Sequence, residues 1–323
     1  MSHSKVTKNG GDDAFQSDVL RSEISSKGDL GMKISVVIPA YNATPFLARC
    51  LKSVFAQTLK PEEVIVVDDK STDNTAAMAE ALGAKVVRRE INGGLSAARN
   101  SGIQNASNEW IALLDADDVW LPEKLERQAD CARPEVVLIY TGIKYFDDNG
   151  IRSVVPAVDP ATAMKMLRYH NPIPCTYLVR REALQHDGGY REDIRACEDW
   201  EMLVRLQRHG KFVAVTDPLV DIYLHPGSLS ANPGRMIKAL DQIIDTTLLD
   251  GQQGFDRWAW RRRIRADQLW RAGLIARENR LKDELRYMVE SLREWPSPFW
   301  EPKRFATCAV SAVNRFRRRE DVG

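Results

Sequence analysis

The stretch IALLDADDVWLP, residues 111–122, places three aspartates directly behind a short apolar run. The run, residues 111–114, is typical of a buried strand, and the proline that closes the stretch favours a helix after it. The carboxylates of Asp115, Asp117 and Asp118 repel one another, so the pKa of at least one of them is raised unless a cation lies among them. One acid is enough to favour the N-terminus of the next helix, and three exceed that need. Because hard divalent ions take oxygen ligands, the cluster predicts a bound Mg²⁺ or Mn²⁺ at the end of a strand.

Strand and helix patterns alternate before this stretch. The β-branched apolar run at residues 34–38 is typical of a parallel strand that is buried on both faces. Residues 64–67 and 84–87 are predicted to form a second and a third strand. Helical spacing separates them, most clearly at residues 44–56 and 95–106. This alternation predicts an α/β, Rossmann-like fold with a mostly parallel sheet flanked by helices. In such sheets ligands bind at the carboxyl ends of the strands, where the aspartates are expected to lie.

The pattern changes twice further along the chain. Residues 135–140 and 143–146 are predicted to form two short strands, and so are residues 212–215 and 219–223. From Pro233 onward the apolar spacing is helical, which predicts a C-terminal helical extension.

Three parts of the chain are predicted from these patterns. Residues 1–32 are polar and without periodicity, which is typical of a disordered leader. Residues 33–232 are expected to form the α/β domain, and residues 233–323 are expected to form the C-terminal helical region.

Charge and composition exclude some classes of protein. The 323 residues carry 46 Lys and Arg against 45 Asp and Glu, so the whole chain has no strong field for nucleic acid. The charge is uneven, because residues 255–323 contain 17 basic and 10 acidic residues, a net charge of +7. No apolar run approaches the length of a membrane span, and the N-terminus lacks the apolar core of a secretory signal. The five cysteines show no zinc-like spacing, and we therefore expect a cytoplasmic protein with reduced thiols.

Five motifs follow one another along roughly residues 33–230. They are VVIPAYN (36–42), VVDDKSTDNT (66–75), NGGLSAARNSG (92–102), LLDADD (113–118) and EDWEMLVRL (198–206). In this order they make the chain resemble the family 2 glycosyltransferases, which are inverting enzymes of the GT-A fold. The resemblance implies a nucleotide-sugar donor, most often a UDP-sugar, with a divalent metal and a hydroxyl-bearing acceptor such as a glycan or a lipid-linked glycan.

The resemblance implies donor-binding residues at several strand ends. Asp69 is expected to contact a uracil-like base, and Gly94 lets the backbone approach the ligand closely. Arg99 offers a rigid fork to a base carbonyl or a diphosphate. Asp115 is expected to orient its loop or contact the ribose, and Asp117 is expected to face the donor. The backbone that is expected to cradle the nucleotide belongs to Pro39, Ala40, Tyr41 and Asn42.

The same resemblance implies metal ligands and a catalytic base. Asp117 and Asp118 match the metal-binding DxD-type motif, and a cation there would stabilise the diphosphate as a leaving group. His225, in YLHPGSLS (223–230), is a further candidate for the metal or a phosphate oxygen, with a surface histidine as the alternative. Asp199, the second acid of the ED pair, is hypothesised to remove the proton from the acceptor hydroxyl. Its alternative is a helix cap.

Other interpretations of the sequence remain open. LLDADDV also fits the nucleophile motif of haloacid-dehalogenase-like phosphatases, with Asp115 as nucleophile, although that class usually carries the motif on its first strand. A non-catalytic glycan-binding relative is a further alternative. The basic, tryptophan-rich C-terminal region predicts either peripheral contact with the inner face of the plasma membrane or helices packed on the domain. Gly254 replaces the glutamine of the processive QxxRW pattern, which favours a single-addition enzyme over a polymerase. The resemblance to the family implies a role in polysaccharide or cell-envelope synthesis.

Overall fold

One nine-stranded sheet, with helices packed against it, organises the residues that the structure describes. The structure is a computed structural model, and it describes residues 32–225, 232–278, 281–297 and 303–320, with side chains up to residue 311. The leader predicted for residues 1–32 lies outside this part of the chain, apart from Met32.

The N-terminal half of the sheet is parallel, in the order β3-β2-β1-β4. Its central strand is buried at every position, because helices cover both faces of an apolar strand. The carboxyl ends of the strands therefore meet at one edge, as the sequence predicts. The strands are β1 (Ile34–Ala40), β2 (Glu63–Asp68), β3 (Lys85–Arg88) and β4 (Trp110–Leu113), and the helices between them are α1 (Thr44–Phe55), α2 (Thr75–Ala81) and α3 (Leu95–Asn105).

Close packing against the sheet fixes the position of α3. A Cβ atom added at Gly102 would lie 2.2 Å from Val37 Cγ1 and 3.1 Å from Val67 Cγ2, so only glycine allows this approach. Arg99 lies three residues earlier, on the same side of the helix. The glycine contact therefore sets where the Arg99 side chain can reach.

The other half of the sheet mixes parallel and antiparallel pairs, in the order β8-β6-β9-β5 after β4, with β7 paired to β6. The prediction of four short strands between residues 135 and 223 is wrong, because the four segments belong to two long strands, β6 and β9. Register shifts in the β6–β9 pair absorb Gly142 and Pro218, which face each other, so neither strand is interrupted. The new elements are β5 (Val119–Trp120), α4 (Lys124–Ala129), β6 (Val136–Asp147), β7 (Gly150–Val155), α5 (Pro160–Met166), β8 (Leu178–Arg180), α6 (Arg181–His186), α7 (Glu198–Leu206) and β9 (Lys211–Tyr223).

The first two C-terminal helices pack on the sheet domain. Leu240, Ile243 and Ile264 are buried in the same apolar cluster as Leu203 and Leu206 of α7. Packing, one of the two alternatives from the sequence, is thus present. None of the described helices has the length and apolar character that a membrane crossing requires. These helices are α8 (Pro233–Ile243), continued by the π-helical turn Ile244–Leu248, then α9 (Gly254–Glu278), α10 (Glu284–Glu294) and α11 (Lys303–Glu320).

Candidate active site

Polar side chains gather at the carboxyl edge of the parallel strands. The backbone N–H of Asp69, just after β2, donates to Ala40 O at the end of β1 (2.9 Å). The loop after β1 is tied to the loop after β2 in the same way, because Thr72 N donates to Asn42 Oδ1 (2.8 Å). Asn42 has a left-handed backbone (φ 50°), which asparagine tolerates better than most residues. Pro39 and Ala40 are buried, and Tyr41 and Asn42 are exposed beside this edge.

Arg99 joins three carboxylates from two distant parts of the sequence. Its Nη1 donates to Glu198 Oε1 (2.9 Å) and Asp199 Oδ1 (3.0 Å). Its Nη2 donates to Asp115 Oδ1 (2.8 Å). The side chain is only 1 % exposed, so the guanidinium faces carboxylates rather than an open donor pocket. Contact of Arg99 with a donor base or diphosphate stays a prediction.

The electrostatics of this cluster follow from burial. Burial raises the pKa of Glu198, the charge of Asp199 adds to the rise, and Arg99 opposes it. The two acids stand in the first turn of α7, where the helix dipole favours negative charge. Cys197 begins this helix with a left-handed backbone (φ 61°), which turns the chain sharply before the acid pair.

Two buried tyrosines complete the surroundings of Asp199. The Tyr177 hydroxyl donates to Asp199 Oδ1 (2.6 Å), and the hydroxyls of Tyr177 and Tyr190 lie 2.6 Å apart. Burial raises the pKa of both tyrosines well above the usual value, so both hydroxyls stay protonated. The Asp199 side chain keeps 20 % exposure. The Asp199 carboxylate is therefore held through Oδ1, and part of it remains accessible to solvent.

Asp69 holds the glycine loop that precedes α3. Its carboxylate accepts from Gly93 N (3.0 Å) and Gly94 N (2.7 Å), and it pairs with Arg89 Nε (2.8 Å). Gly94 has a positive φ of 84°, a conformation that favours glycine. The loop that carries Gly94 thus stands beside the end of β2. Contact of Asp69 with a uracil-like base stays a prediction.

Asp117 and His225 lie together at the far side of the acid cluster, with Asp117 Oδ2 2.9 Å from His225 Nε2. Arg49 supports this corner by donating to Asp117 O (2.8 Å), and the Phe46 ring lies 4.7 Å from the imidazole. Asp118 is buried, and its Oδ1 accepts from Tyr223 N on β9 (3.1 Å). A role for Asp118 as a metal ligand stays a prediction.

The chemistry of the Asp117–His225 pair fits a divalent cation. Burial raises the pKa of Asp117 and Asp118, and the charges of the neighbouring aspartates add to the rise. This is the repulsion expected from the crowded sequence motif. A carboxylate oxygen next to an imidazole nitrogen is a ligand pair that Mn²⁺ accepts, and a cation would reduce the repulsion.

The sequence did not indicate every residue of the site. Tyr177, Tyr190 and Arg89 lie outside the motifs, and no spacing pattern marks them. Cys175 belongs to no motif, yet its sulfur lies 3.5 Å from Arg99 Nη2. These residues reach the site through the fold, not through a local pattern.

Solved structures define the class of fold. The chain is similar to S. aureus TarS in complex with UDP-GlcNAc, with a TM-score of 0.57 and 22% identity over 81% of each chain. It is also similar to the mannosyltransferase PcManGT from Pyrobaculum calidifontis in complex with GDP-Man and Mn²⁺, with a TM-score of 0.56 and 18% identity over 94% of this chain and 95% of that one. These likenesses show the GT-A fold, and the predicted fold class is confirmed.

Sequence relatives define the family. Residues 35–188 match the model of glycosyl transferase family 2. An uncharacterized glycosyltransferase of Haemophilus influenzae is 27% identical, over 65% of this chain and 75% of its own length. The uncharacterized glycosyltransferase EpsJ of Bacillus subtilis is 29% identical, over 62% of this chain and 63% of its own length. The putative glycosyltransferase EpsE of the same organism is 30% identical, over 56% of this chain and 68% of its own length. The chain belongs to glycosyltransferase family 2 and is a transferase, which leaves no role for the phosphatase alternative.

Replacing Arg99 tests the buried charge cluster. We expect Arg99→Met to lower the free energy of unfolding at neutral pH by about 3–5 kcal/mol, because it leaves buried carboxylates without a counter-charge. The folded-state pKa of Glu198 would then rise further above its unfolded value. A group with a raised folded pKa loses its stabilisation as pH rises through that pKa, so the defect should be smaller at acidic pH.

Urea denaturation of the wild type and the variant between about pH 5 and pH 8 measures this defect. Arg88→Met, which removes an exposed arginine paired with Glu80, is the matched control and should show no measurable loss. A loss of the same size at every pH would indicate lost packing, and would contradict the electrostatic account.

Proposed function

We propose that the chain is a metal-assisted, inverting glycosyltransferase that uses a nucleotide-sugar donor and Asp199 as its base. The observation that carries the proposal is the position of Asp199. Arg99 holds this carboxylate beside Asp115, in the acid cluster that follows β4. A base next to the donor end of the sheet is what a direct transfer between donor and acceptor requires.

The reaction is a single displacement. The acceptor hydroxyl loses its proton to the Asp199 carboxylate as its oxygen attacks the anomeric carbon of the donor. The bond between that carbon and the diphosphate oxygen breaks, and the nucleoside diphosphate leaves. Because attack and departure occur on opposite faces, the configuration inverts without a covalent enzyme intermediate. Arg99 and Tyr177 both occupy Oδ1 of Asp199, so the hydroxyl would approach the exposed side of the carboxylate.

The donor would lie along the strand ends. Asp117 and His225 would hold Mg²⁺ or Mn²⁺, and such a cation, when bound, neutralises charge that develops on the leaving diphosphate. The glycine loop held by Asp69 would receive the base, and Asp115 would face the ribose. We favour a UDP-sugar because the similar TarS structure is a complex with UDP-GlcNAc, although that of PcManGT is a complex with GDP-Man and Mn²⁺.

The acceptor would be a glycan or a lipid-linked glycan, and the C-terminal region would bring the enzyme to it. At the start of α9, Phe255 is 74% exposed and Trp258 is 49% exposed. Arg262 lies over the Trp258 ring, at 5.4 Å. Exposed aromatic rings among arginines, in a region with a charge of +7, suit peripheral contact with the anionic inner face of the plasma membrane.

Asp199→Asn tests the base. We expect kcat to fall by about 10²–10⁴-fold, because the amide cannot accept the proton, while the affinity for the donor is retained. Initial rates with saturating donor, together with donor titration by calorimetry, separate the two effects. Asp193→Asn changes an exposed aspartate that pairs with Arg191, and it should leave the rate unchanged. Full activity of the Asp199 variant would remove Asp199 from this role.

A thermal-shift screen tests the donor and the metal together. A donor at about 100 times its dissociation constant should stabilise the protein by about 2.7 kcal/mol, and only with Mn²⁺ or Mg²⁺ present. His225→Ala should remove most of the metal-dependent part of the shift, and Asp217→Asn, an exposed acid paired with Arg127, should keep it. Equal stabilisation by donors in excess EDTA would contradict the metal assignment.

Vesicle binding tests the membrane contact. We expect the full chain to sediment with vesicles of anionic phospholipid at low salt and to be released at high salt, because the attraction is largely electrostatic. Phe255→Ser combined with Trp258→Ser should weaken the binding, whereas Ile151→Ser, on the exposed strand β7, should not. Equal sedimentation with neutral vesicles, or none with either kind, would overturn the proposed contact.

A further inference from the structure

A second group of ligand-type side chains lies at the end of α7 that is remote from Asp199. His186 closes α6, Asp187 follows it, and His209 lies just after α7. Asp187 Oδ1 is 3.0 Å from His209 Nε2 and 3.5 Å from His186 Nδ1. The two imidazole rings are edge to face, with centroids 4.9 Å apart. One ligand atom from each residue falls within 4.8 Å of the other two.

The two distances to Asp187 Oδ1 are close to those between ligands of one ion. In a tetrahedral zinc site with bonds of about 2.0–2.1 Å, neighbouring ligand atoms are about 3.3 Å apart. The two contacts to Asp187 Oδ1 bracket that value. His209 Nε2 and Asp187 Oδ2 are both buried atoms. The buried nitrogen faces the Asp187 carboxylate at 3.0 Å, and the Asp187 Oδ2 atom faces Arg205.

The backbone that presents Asp187 is fixed from several sides. Gly188 and Gly189 both have φ of 75°, so the chain folds back immediately after Asp187. Arg205 of α7 donates to Asp187 O (2.8 Å) and Gly189 O (2.7 Å). A Cβ atom at Gly189 would lie 2.5 Å from Asn100 Oδ1, so the turn packs closely on α3. Asp187 is therefore placed by its turn before any ligand binds.

The surrounding charge selects the kind of ion. Arg205 Nη1 lies 3.9 Å from Asp187 Oδ2, which reduces the negative charge of the group. Mg²⁺ and Ca²⁺ depend on several charged oxygens and would gain little here. Two imidazoles and one carboxylate oxygen suit zinc and similar transition metals. We propose that His186, Asp187 and His209 form a binding site for a divalent transition-metal ion, with zinc as its representative and water in the remaining position.

Such an ion would join the C-terminal ends of α6 and α7. The turn after Asp187 leads directly to Tyr190, whose backbone N–H donates to Asn100 Oδ1 (2.8 Å). The site therefore sits at the base of the loop that carries Tyr190 towards Asp199. Its expected effect is to restrain this loop and the end of α7. Metal binding at this site would not require the proposed transfer reaction.

Zinc titration of the full chain, without nucleotide, tests the site. The Asp117→Asn, His225→Ala background removes the other candidate metal pair. In that background we expect one zinc ion to bind. His186→Ala should lower the zinc affinity by at least about tenfold, since even mutation of residues that only support the ligands lowers metal affinity by about 10–100-fold. His186 is 73% exposed, so its replacement should not disturb folding. Gln185→Ala, the exposed neighbouring residue, is the matched control and should bind zinc as before.

Two further measurements distinguish this site from adventitious binding. Co²⁺ in place of zinc should give a visible absorption band of low-coordinate nitrogen and oxygen ligation, which is lost in His209→Ala. Zinc should also slow amide hydrogen exchange in residues 186–190 and 205–209, and Mg²⁺ should not. Zinc affinity that is unchanged in both histidine variants, or stabilisation by Mg²⁺ equal to that by zinc, would overturn the proposal.

Discussion

The contact between the Arg99 guanidinium and the carboxylates of Asp115, Glu198 and Asp199 is the interaction on which the site depends. It spans up to 100 residues of sequence, and the guanidinium is almost wholly buried. Burying charges away from water costs free energy, and several charged hydrogen bonds of good geometry are needed to offset it. This condition is met only if α3 lies close to the sheet, which Gly102 permits. The position of the acid pair on α7 is thus fixed by the parallel half of the sheet.

One guanidinium does not balance the acids around it. Three carboxylates share Arg99, and Asp117 and Asp118 bring further negative charge to the same edge. Burial and mutual repulsion raise the pKa of Glu198, Asp117 and Asp118 together. Near Asp117 and Asp118 this negative charge is offset only in part, by Arg49 and His225. Under the proposed function, a cation there would satisfy the protein and the donor at once, since both would present negative oxygen atoms to it.

Strands β1 and β2 could be predicted because they are buried on both faces, and burial demands continuous apolar runs such as residues 34–38. The edge strand β3 is only partly buried, and the alternation of strand and helix patterns indicates it instead. The length of β6 and β9 could not be predicted, because Gly142 and Pro218 are breaking residues unless a partner strand offers a matching irregularity. The same limit applies to the site. The acids of the motifs are local in sequence, whereas the partners of Arg99, and the role of Tyr177, depend on contacts between distant elements. Resemblance to a family therefore indicates which residues belong to a site. The contacts that these residues make with one another are known only from the fold.

Helix α7 carries Asp199 at its start and contacts the C-terminal region along its length. A base must be held within a fraction of an ångström to be effective. Asp199 is held by Arg99 and Tyr177, but the helix behind it is supported elsewhere. Buried Glu201 pairs with Arg205 (2.8 Å) and accepts from Thr247 Oγ1 (3.0 Å), in the turn that follows α8. Leu203 and Leu206 pack against apolar side chains of α8 and α9, in the shared core. Helices α8 and α9 and the turn between them therefore support α7, and this support is the same whether or not exposed residues of the C-terminal region meet a membrane.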